Sequence, residues 1–325
     1  MRAIICNEFG PIDQLTLEER PNPTPGAGEI LIEIHAAGVN FPDGLMVRGE
    51  YQVKPPRPFT PGSEVAGIVR ATGEGVSQFA PGDRVVALCG VGGFAEMVTA
   101  LADRALRLPD GMDFNTASGF MLVYGTSLHG LQECGRLRAG ETLLVLGAAG
   151  GVGLAAVEIG RAMGARVIAA ASTDEKLALA REHGAELTIN YTTADLKTEL
   201  KRLAPSGVDV VYDPVGGTLT QAAVRGLAWG GRLLVIGFAA GEIPKLPLNL
   251  LLLREGEAKG VFWGTWTARD PAGHARNVAQ LFAWFAEGKL RPHISGAFPL
   301  EDTQKALKEV MERRAQGKVV VTANQ

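Results

Sequence analysis

The hydrophobic rhythm of the chain changes roughly a third of the way along. Before that point apolar residues alternate with polar ones or come in short runs. The segment EILIEIHAAGV, residues 29–39, puts Ile30, Ile32 and Ile34 on one face and Leu31, Glu33 and His35 on the other, the period of a half-buried strand. Short apolar runs follow within PGSEVAGIVRATGEGV, PGDRVVAL and GGFAEMVTA, each closed by turn residues. Strands at this spacing predict an antiparallel, barrel-like domain. The pieces RPNPTPGAG and KPPRPFTPG read as loops, because proline has no ladder donor.

After about residue 120 the period lengthens. The runs TLLVLG, ARVIAAA, DVVYD and RLLVIGF alternate with helix-like stretches, the βαβ signature of a doubly wound parallel sheet. The stretch STDEKLALAREHG predicts a helix capped at both ends, with Ser172 to Glu175 as a capping box and Gly184 as a left-handed stop. Near the end, Leu300, Ala306, Leu307, Val310 and Met311 form one apolar helical face, and KVVVT follows as a strand. The pattern alone leaves open which domain receives that strand.

A chain of 325 residues is long for one domain and comfortable for two. Hydrophobic residues at 46% and charged residues at 21% allow a sizeable core. A formal net charge of -3 without a basic block argues against a nucleic-acid partner. Cys6, Cys89 and Cys134 are scattered, with no C-x-x-C pair, which points to a reducing compartment rather than a disulfide framework. The opening MRAIICNEFG is too weakly apolar for a signal peptide. Leu143 to Val157, the most apolar segment, is too short and too broken by glycine to span a bilayer. The expected setting is the cytoplasm, with no membrane partner.

The stretch LGAAGGVG, residues 146–153, carries the clearest chemistry. Ala148-x-Gly150-x-x-Gly153 fits the dinucleotide fingerprint with alanine in the first place. It lies between a predicted strand and an amphipathic helix, with a second strand beyond, which is the context the motif requires. Gly150 lets backbone approach a pyrophosphate, Gly153 lets the helix pack close to the sheet, and the helix N-terminus offers N–H groups and partial positive charge. Ala149, Gly150, Gly151, Val152 and Gly153 form the candidate cradle. The plainer alternative is a tight turn only, which leaves the conformational cost of these glycines unexplained.

In NAD-selecting domains an acidic residue roughly 20 positions on holds the adenine ribose. Here the second strand ends at Ser172, 24 positions after Ala148. A carboxylate there would repel a 2′-phosphate; serine does not. Lys176, one helical turn later, and Tyr191, after LTIN, complete a phosphate pocket, so the expected cofactor is NADP(H). Beside this reading stand a capping role for Ser172, a solvated Lys176, and Asp174 as a nearby acid.

The order of these parts resembles the medium-chain dehydrogenase/reductase superfamily, and within it the zinc-independent quinone oxidoreductases, over essentially the whole chain. The resemblance is carried by AAGVNFPDGLMVRGEYQ, PFTPGSEVAGIV, GDRVVAL, GGFAEMV, YGTSLHGL, LGAAGGVGLAAVEI, GFAAGEIPKLPLNLLLL and GVFWGTW. It implies an α/β chain in which a GroES-like β-barrel catalytic domain, residues 1–123 and 265–325, accompanies a Rossmann NADP(H)-binding domain, residues 124–264. It also implies a homodimer or homotetramer, often paired through the last nucleotide-domain strand, AKGVFW here. The zinc branch has cysteine and histidine where this chain has Asn40 and Ser63, the cysteine-rich lobe is missing, and the five histidines are dispersed. No metal is expected.

The resemblance further implies hydride transfer from NADPH to a quinone or another conjugated carbonyl. Without a metal, charge developing on the carbonyl oxygen needs hydrogen-bond donors in a dry pocket. Asn40 is implied beside the nicotinamide and substrate, Asp43 as the residue ordering that loop, and Thr126 on the nicotinamide side. Tyr51 is implied as the donor at the pocket mouth, and reads equally well as a packed loop aromatic. Phe238, Phe262 and Trp263 match segments bordering the nicotinamide half, or pack in the core. Some relatives carry a second tyrosine between positions 40 and 51, where Leu45 and Met46 here imply a more apolar pocket. Three functions compete: NADPH:quinone oxidoreductase, reductase of α,β-unsaturated carbonyls or enoyl thioesters, and non-enzymatic NADPH-binding protein.

Overall fold

The computed structural model describes residues 1–323. They form two compact units, Met1–Leu122 with the chain from Pro292 on, and Val123–Arg291. Residues 265–291, expected with the catalytic domain, belong instead to the second unit. The cause is local packing and polar pairing. Helix Pro271–Ala286 packs on helix Trp263–Arg269. Asn277 accepts from Gln132 at 3.1 Å and donates to Glu133 at 3.2 Å, and the Arg291 N–H donates to Glu158 at 3.1 Å.

In the first unit seven strands make one sheet. Its order is Ile294–Pro299, Lys318–Thr322, Glu29–Val39, Glu64–Thr72, Arg84–Leu88 and Ala105–Arg107, and Met97–Leu101 pairs with Glu29–Val39 as well. Only the pairing of Ile294–Pro299 with Lys318–Thr322 is parallel. Ile30, Ile32 and Ile34 are fully buried, while Leu31, Glu33 and His35 are part exposed, as an antiparallel strand with one wet face requires. Glu29–Val39 thus carries three neighbours. Val319 lies opposite Val39, and Glu64 opposite Gly38.

In the second unit six parallel strands run in the order Leu187–Asn190, Arg166–Ala171, Thr142–Leu146, Val208–Asp213, Leu227–Val235 and Glu257–Gly260. Numbered within the unit this is 3-2-1-4-5-6, the doubly wound arrangement. Leu143, Leu144, Val145 and Leu146 are fully buried, as a central parallel strand demands. At the far edge all four residues of Glu257–Gly260 are exposed. Among the described residues no helix is long and apolar enough to cross a membrane.

Candidate active site

Strand Thr142–Leu146 passes to helix Gly151–Ala162 through a four-residue turn. The residue that needs a left-handed backbone is Gly147, at φ +58°, one position before the alanine that opens the sequence fingerprint. A Cβ on Gly153 would lie 2.2 Å from the Gly147 carbonyl oxygen, so helix and loop touch there only because residue 153 has no side chain. Gly150 differs. It caps the helix in an extended conformation without a side-chain bond, and a Cβ there would meet only the Gly147 oxygen at 3.5 Å. Residue 150 therefore has open space beside it at the helix N-terminus, where the first-turn N–H groups have no intrahelical partners. Ala149 is buried beneath, and Gly151 and Val152 are part exposed. Ser127 donates to the Val152 carbonyl at 3.0 Å and meets the Tyr212 hydroxyl at 2.9 Å, which ties helix Met121–His129 to the loop.

Ser172 follows strand Arg166–Ala171 and is part exposed. It is not the helix cap. Thr173 fills that role, accepting from the Lys176 N–H at 3.3 Å. Two adjacent hydroxyl residues satisfy the capping pattern equally well, and the sequence reading placed the cap one position early. The nearby acid is turned aside, because Asp174 accepts from Asn190 Nδ2 at 2.8 Å. Tyr191 packs part buried on the apolar cluster of this unit, with its N–H bonded to the Ala171 carbonyl at 3.1 Å. Ser172, Lys176 and Tyr191 thus gather at the ends of two adjacent strands.

The first unit holds a buried polar centre where Glu29–Val39 ends. Asn40 caps helix Phe41–Val47 and is 3% exposed. Its N–H donates to one Asp43 carboxylate oxygen at 2.8 Å, and Ser63 Oγ donates to the other at 2.9 Å. Lys318 Nζ donates to Asn40 Oδ1 at 2.6 Å and to the Val39 carbonyl at 2.9 Å. An ammonium has donors only, so the amide orientation is fixed: Oδ1 faces Lys318, while Nδ2 faces the Gly38 carbonyl at 3.3 Å and Glu64 at 3.4 Å. Glu64 also accepts from the Leu122 N–H at 2.8 Å and lies 3.9 Å from Lys318. Burial pushes Asp43 up to about 6 and Glu64 up to about 7, and pushes Lys318 down. Sequence reading found Asn40 and Asp43 and missed Glu64 and Lys318. The available signal was a lysine opening the apolar strand KVVVT.

These residues do not suit zinc. At the two positions where the zinc branch has ligands, Asn40 Oδ1 accepts from an ammonium and the Ser63 hydroxyl donates to Asp43. A dication here would sit against the charge of Lys318, with an amide and a hydroxyl in place of thiolate and imidazole.

Tyr51 is half-buried against the core of the first unit, and burial, with the Asp43 charge, raises its phenol. Met46 is a core residue, so of the two residues expected to make the pocket more apolar only Leu45 is part exposed. In the second unit Thr126 is part exposed on helix Met121–His129. Trp263 is buried against Gly125, where an added Cβ would lie 2.5 Å from its ring. Phe238 packs part buried beside Gly216, whereas Phe262 is 57% exposed. Sequence reading also passed over Glu158, which accepts from the Tyr124 hydroxyl at 2.6 Å and meets His183 Nδ1 at 2.6 Å, bracing the helix that carries Thr126.

Known proteins share this architecture. Residues 26–110 match the alcohol dehydrogenase GroES-like domain, and residues 151–283 match the zinc-binding dehydrogenase family. Quinone oxidoreductase-like protein 2 of Rattus norvegicus is 38% identical over 324 residues, covering 99% of this chain and 92% of that protein. The synaptic vesicle membrane protein VAT-1 homolog of Homo sapiens is 34% identical over 341 residues, covering 99% of this chain and 86% of that protein. The crystal structure of Escherichia coli quinone oxidoreductase complexed with NADPH is similar with a TM-score of 0.93 at 29% identity, covering 99% of this chain and 100% of that one. The chain belongs to the medium-chain dehydrogenase/reductase superfamily, in its quinone oxidoreductase-like group.

The polar centre sets a pH dependence. Asp43 and Glu64 have folded pKa values above the ordinary carboxylate range near 4, so the folded state holds their protons more tightly than the unfolded chain. Their stabilising contribution is full below about pH 4 and is lost as pH rises through about 6 to 7. Glu64→Gln removes one such group while keeping the side-chain shape. Thermal midpoints measured across this range should favour Glu64→Gln over wild type increasingly as pH rises. A difference that does not change with pH refutes the assignment.

Proposed function

We propose that this chain is a zinc-independent oxidoreductase that takes hydride from NADPH and passes it to a quinone. The observation that carries the reading is the ribose end of the cradle. A serine stands after the second strand, its acidic neighbour Asp174 is bonded to Asn190, and Lys176 lies in the first turn of the following helix. A solved relative that holds NADPH supports the same cofactor.

In this reading Gly150 and the first-turn N–H groups of Gly151–Ala162 hold the pyrophosphate. Ser172, Lys176 and Tyr191 hold the 2′-phosphate. Thr126, Phe238 and Trp263 border the nicotinamide, whose reduced ring supplies the hydride. Asn40 and Asp43 shape the acceptor side, and Tyr51 presents its hydroxyl there. Converting a quinone to a hydroquinone takes one hydride and one proton. The raised phenol of Tyr51 stays protonated at neutral pH and can donate to the oxygen that gains charge. Three free cysteines fit a cytoplasmic, reducing setting.

We also propose that a second copy of the chain covers the exposed edge Glu257–Gly260. That strand is paired with Leu227–Val235 on one side, and two large apolar side chains stand exposed nearby, Trp229 at 67% on the neighbouring strand and Phe262 at 57% just after the edge strand. Sedimentation at micromolar concentration should give a dimer or tetramer, and a mass near the 34.3 kDa of one chain excludes the pairing.

Cofactor choice is tested with dissociation constants for NADPH and NADH at one salt concentration. A hydrogen bond to a charged group contributes roughly 1.5–3 kcal/mol, so Lys176→Ala should weaken NADPH by about ten- to a hundredfold and barely change NADH. Ser172→Asp should favour NADH. Gly150→Val has room within the protein, so it should fold and lose both cofactors. Equal weakening of both cofactors by Lys176→Ala, or a wild type that prefers NADH, defeats the NADPH reading.

The reaction is tested with a simple quinone, a simple enone and an enoyl thioester, each assayed with and without a chelator. Quinone turnover should lead and should survive chelation. Faster enone or thioester reduction supports the conjugated-carbonyl reading. Tight NADPH binding with no turnover supports a binding protein instead, and loss of activity with stoichiometric zinc removed ends the zinc-independent assignment.

A further inference from the structure

Lys318 is a buried cation with a defined set of neighbours. It opens strand Lys318–Thr322, and its own N–H is bonded to the His293 carbonyl at 2.9 Å. Its stem passes over Gly119, where an added Cβ would lie 3.2 Å from Lys318 Cβ and 3.4 Å from Cε. Strand Glu64–Thr72 turns Glu64 toward it, and helix Phe41–Val47 brings Asp43. Two further groups sense these carboxylates: Cys89, whose thiol burial pushes up to about 12, and Tyr51. Both are neutral near pH 7. The ionisable content of the centre is therefore two carboxyl groups and one ammonium. In a dry site the surplus carboxyl keeps a proton rather than a charge. The same ammonium also decides which way the Asn40 amide faces.

We propose that Lys318 is a positioning residue for the acceptor side: its ammonium fixes the Asn40 amide and balances Glu64 and Asp43, so that the loop from Asn40 to Tyr51 keeps one geometry. This rests on the reading of that loop as the acceptor side. The lysine acts through Asn40 and the carboxylates and itself touches no substrate. Asn40, with its Oδ1 and both Nδ2 hydrogens directed inward, then serves as the clamp of the loop, and Tyr51 is left as the donor.

The test uses Lys318→Met, which keeps an unbranched apolar stem and removes the charge, and the double variant Lys318→Met with Glu64→Gln, which removes one positive and one negative charge together and so leaves the net charge of the centre as in wild type. Acceptor kcat/KM is measured from about pH 5.5 to 8 beside the NADPH dissociation constant. Lys318→Met should lose roughly ten- to a hundredfold in kcat/KM at the upper end. The loss should shrink toward the lower end as the carboxyls take up protons, with NADPH affinity unchanged. The double variant should recover most of the activity at every pH. Unchanged kcat/KM in Lys318→Met overturns the proposal. So does a loss that is equal at all pH values and is not rescued, which marks a tail anchor only. If wild type turns over no acceptor, the proposed function fails on its own account. Thermal midpoints over the same pH range then decide the charge balance: Lys318→Met should fall progressively behind wild type as pH rises and the double variant should not, and a constant gap overturns it.

Discussion

Hydrogen-bond register along Glu29–Val39 is the constraint from which the polar centre follows. Val319 pairs with Val39 and Glu64 with Gly38, so an ammonium and a carboxylate arrive from two neighbouring strands beside Asn40. Side chains alternate across a sheet, and a slip of one residue in either partner would turn its charge to the opposite face. The same strand resists that slip through Ile30, Ile32 and Ile34, all fully buried, each of which would lose its apolar contacts. Packing at one end of the strand holds electrostatics in place at the other.

The second unit fixes its geometry by a different means. Close approach of backbone to backbone at Gly147 and Gly153 sets the height of the helix above the sheet. The Ser127 bond to the Val152 carbonyl and the contact with the Tyr212 hydroxyl then fix its rotation. Burial raises the Tyr212 phenol well above its ordinary range, so this hydroxyl remains a neutral donor beneath the glycine loop.

Much of this was legible in the sequence because it is local. Period-two alternation marked Glu29–Val39, and four βαβ runs marked inner strands of the parallel sheet. The glycine cluster marked the turn between strand and helix, and the residue in the left-handed conformation, Gly147, stands one position before the fingerprint. What the sequence did not show is long-range or degenerate. Lys318 and Glu64 lie far apart in the chain, and no local pattern joins them. Ser172 and Thr173 are equivalent as cap candidates until the backbone chooses between them. The resemblance implies residues 265–291 for the catalytic domain, and it is the packing of helix Pro271–Ala286 on Trp263–Arg269 together with the Asn277 and Arg291 bonds that joins them to the other unit.

The two units also differ in how much of the chain each needs. Val123–Arg291 is one continuous stretch, whereas the other unit takes residues from both sides of it. During synthesis the nucleotide-type unit has all its strands while the strand bearing Lys318 is still to be made, and domains generally fold as units from the N-terminal side. Until that strand arrives, Glu64 and Asp43 have no ammonium between them, and Glu29–Val39 keeps an unpaired edge at Ala36–Val39. The topology thus leaves the electrostatic centre incomplete until the whole of the other unit has been made, and hands its completion to the strand Lys318–Thr322.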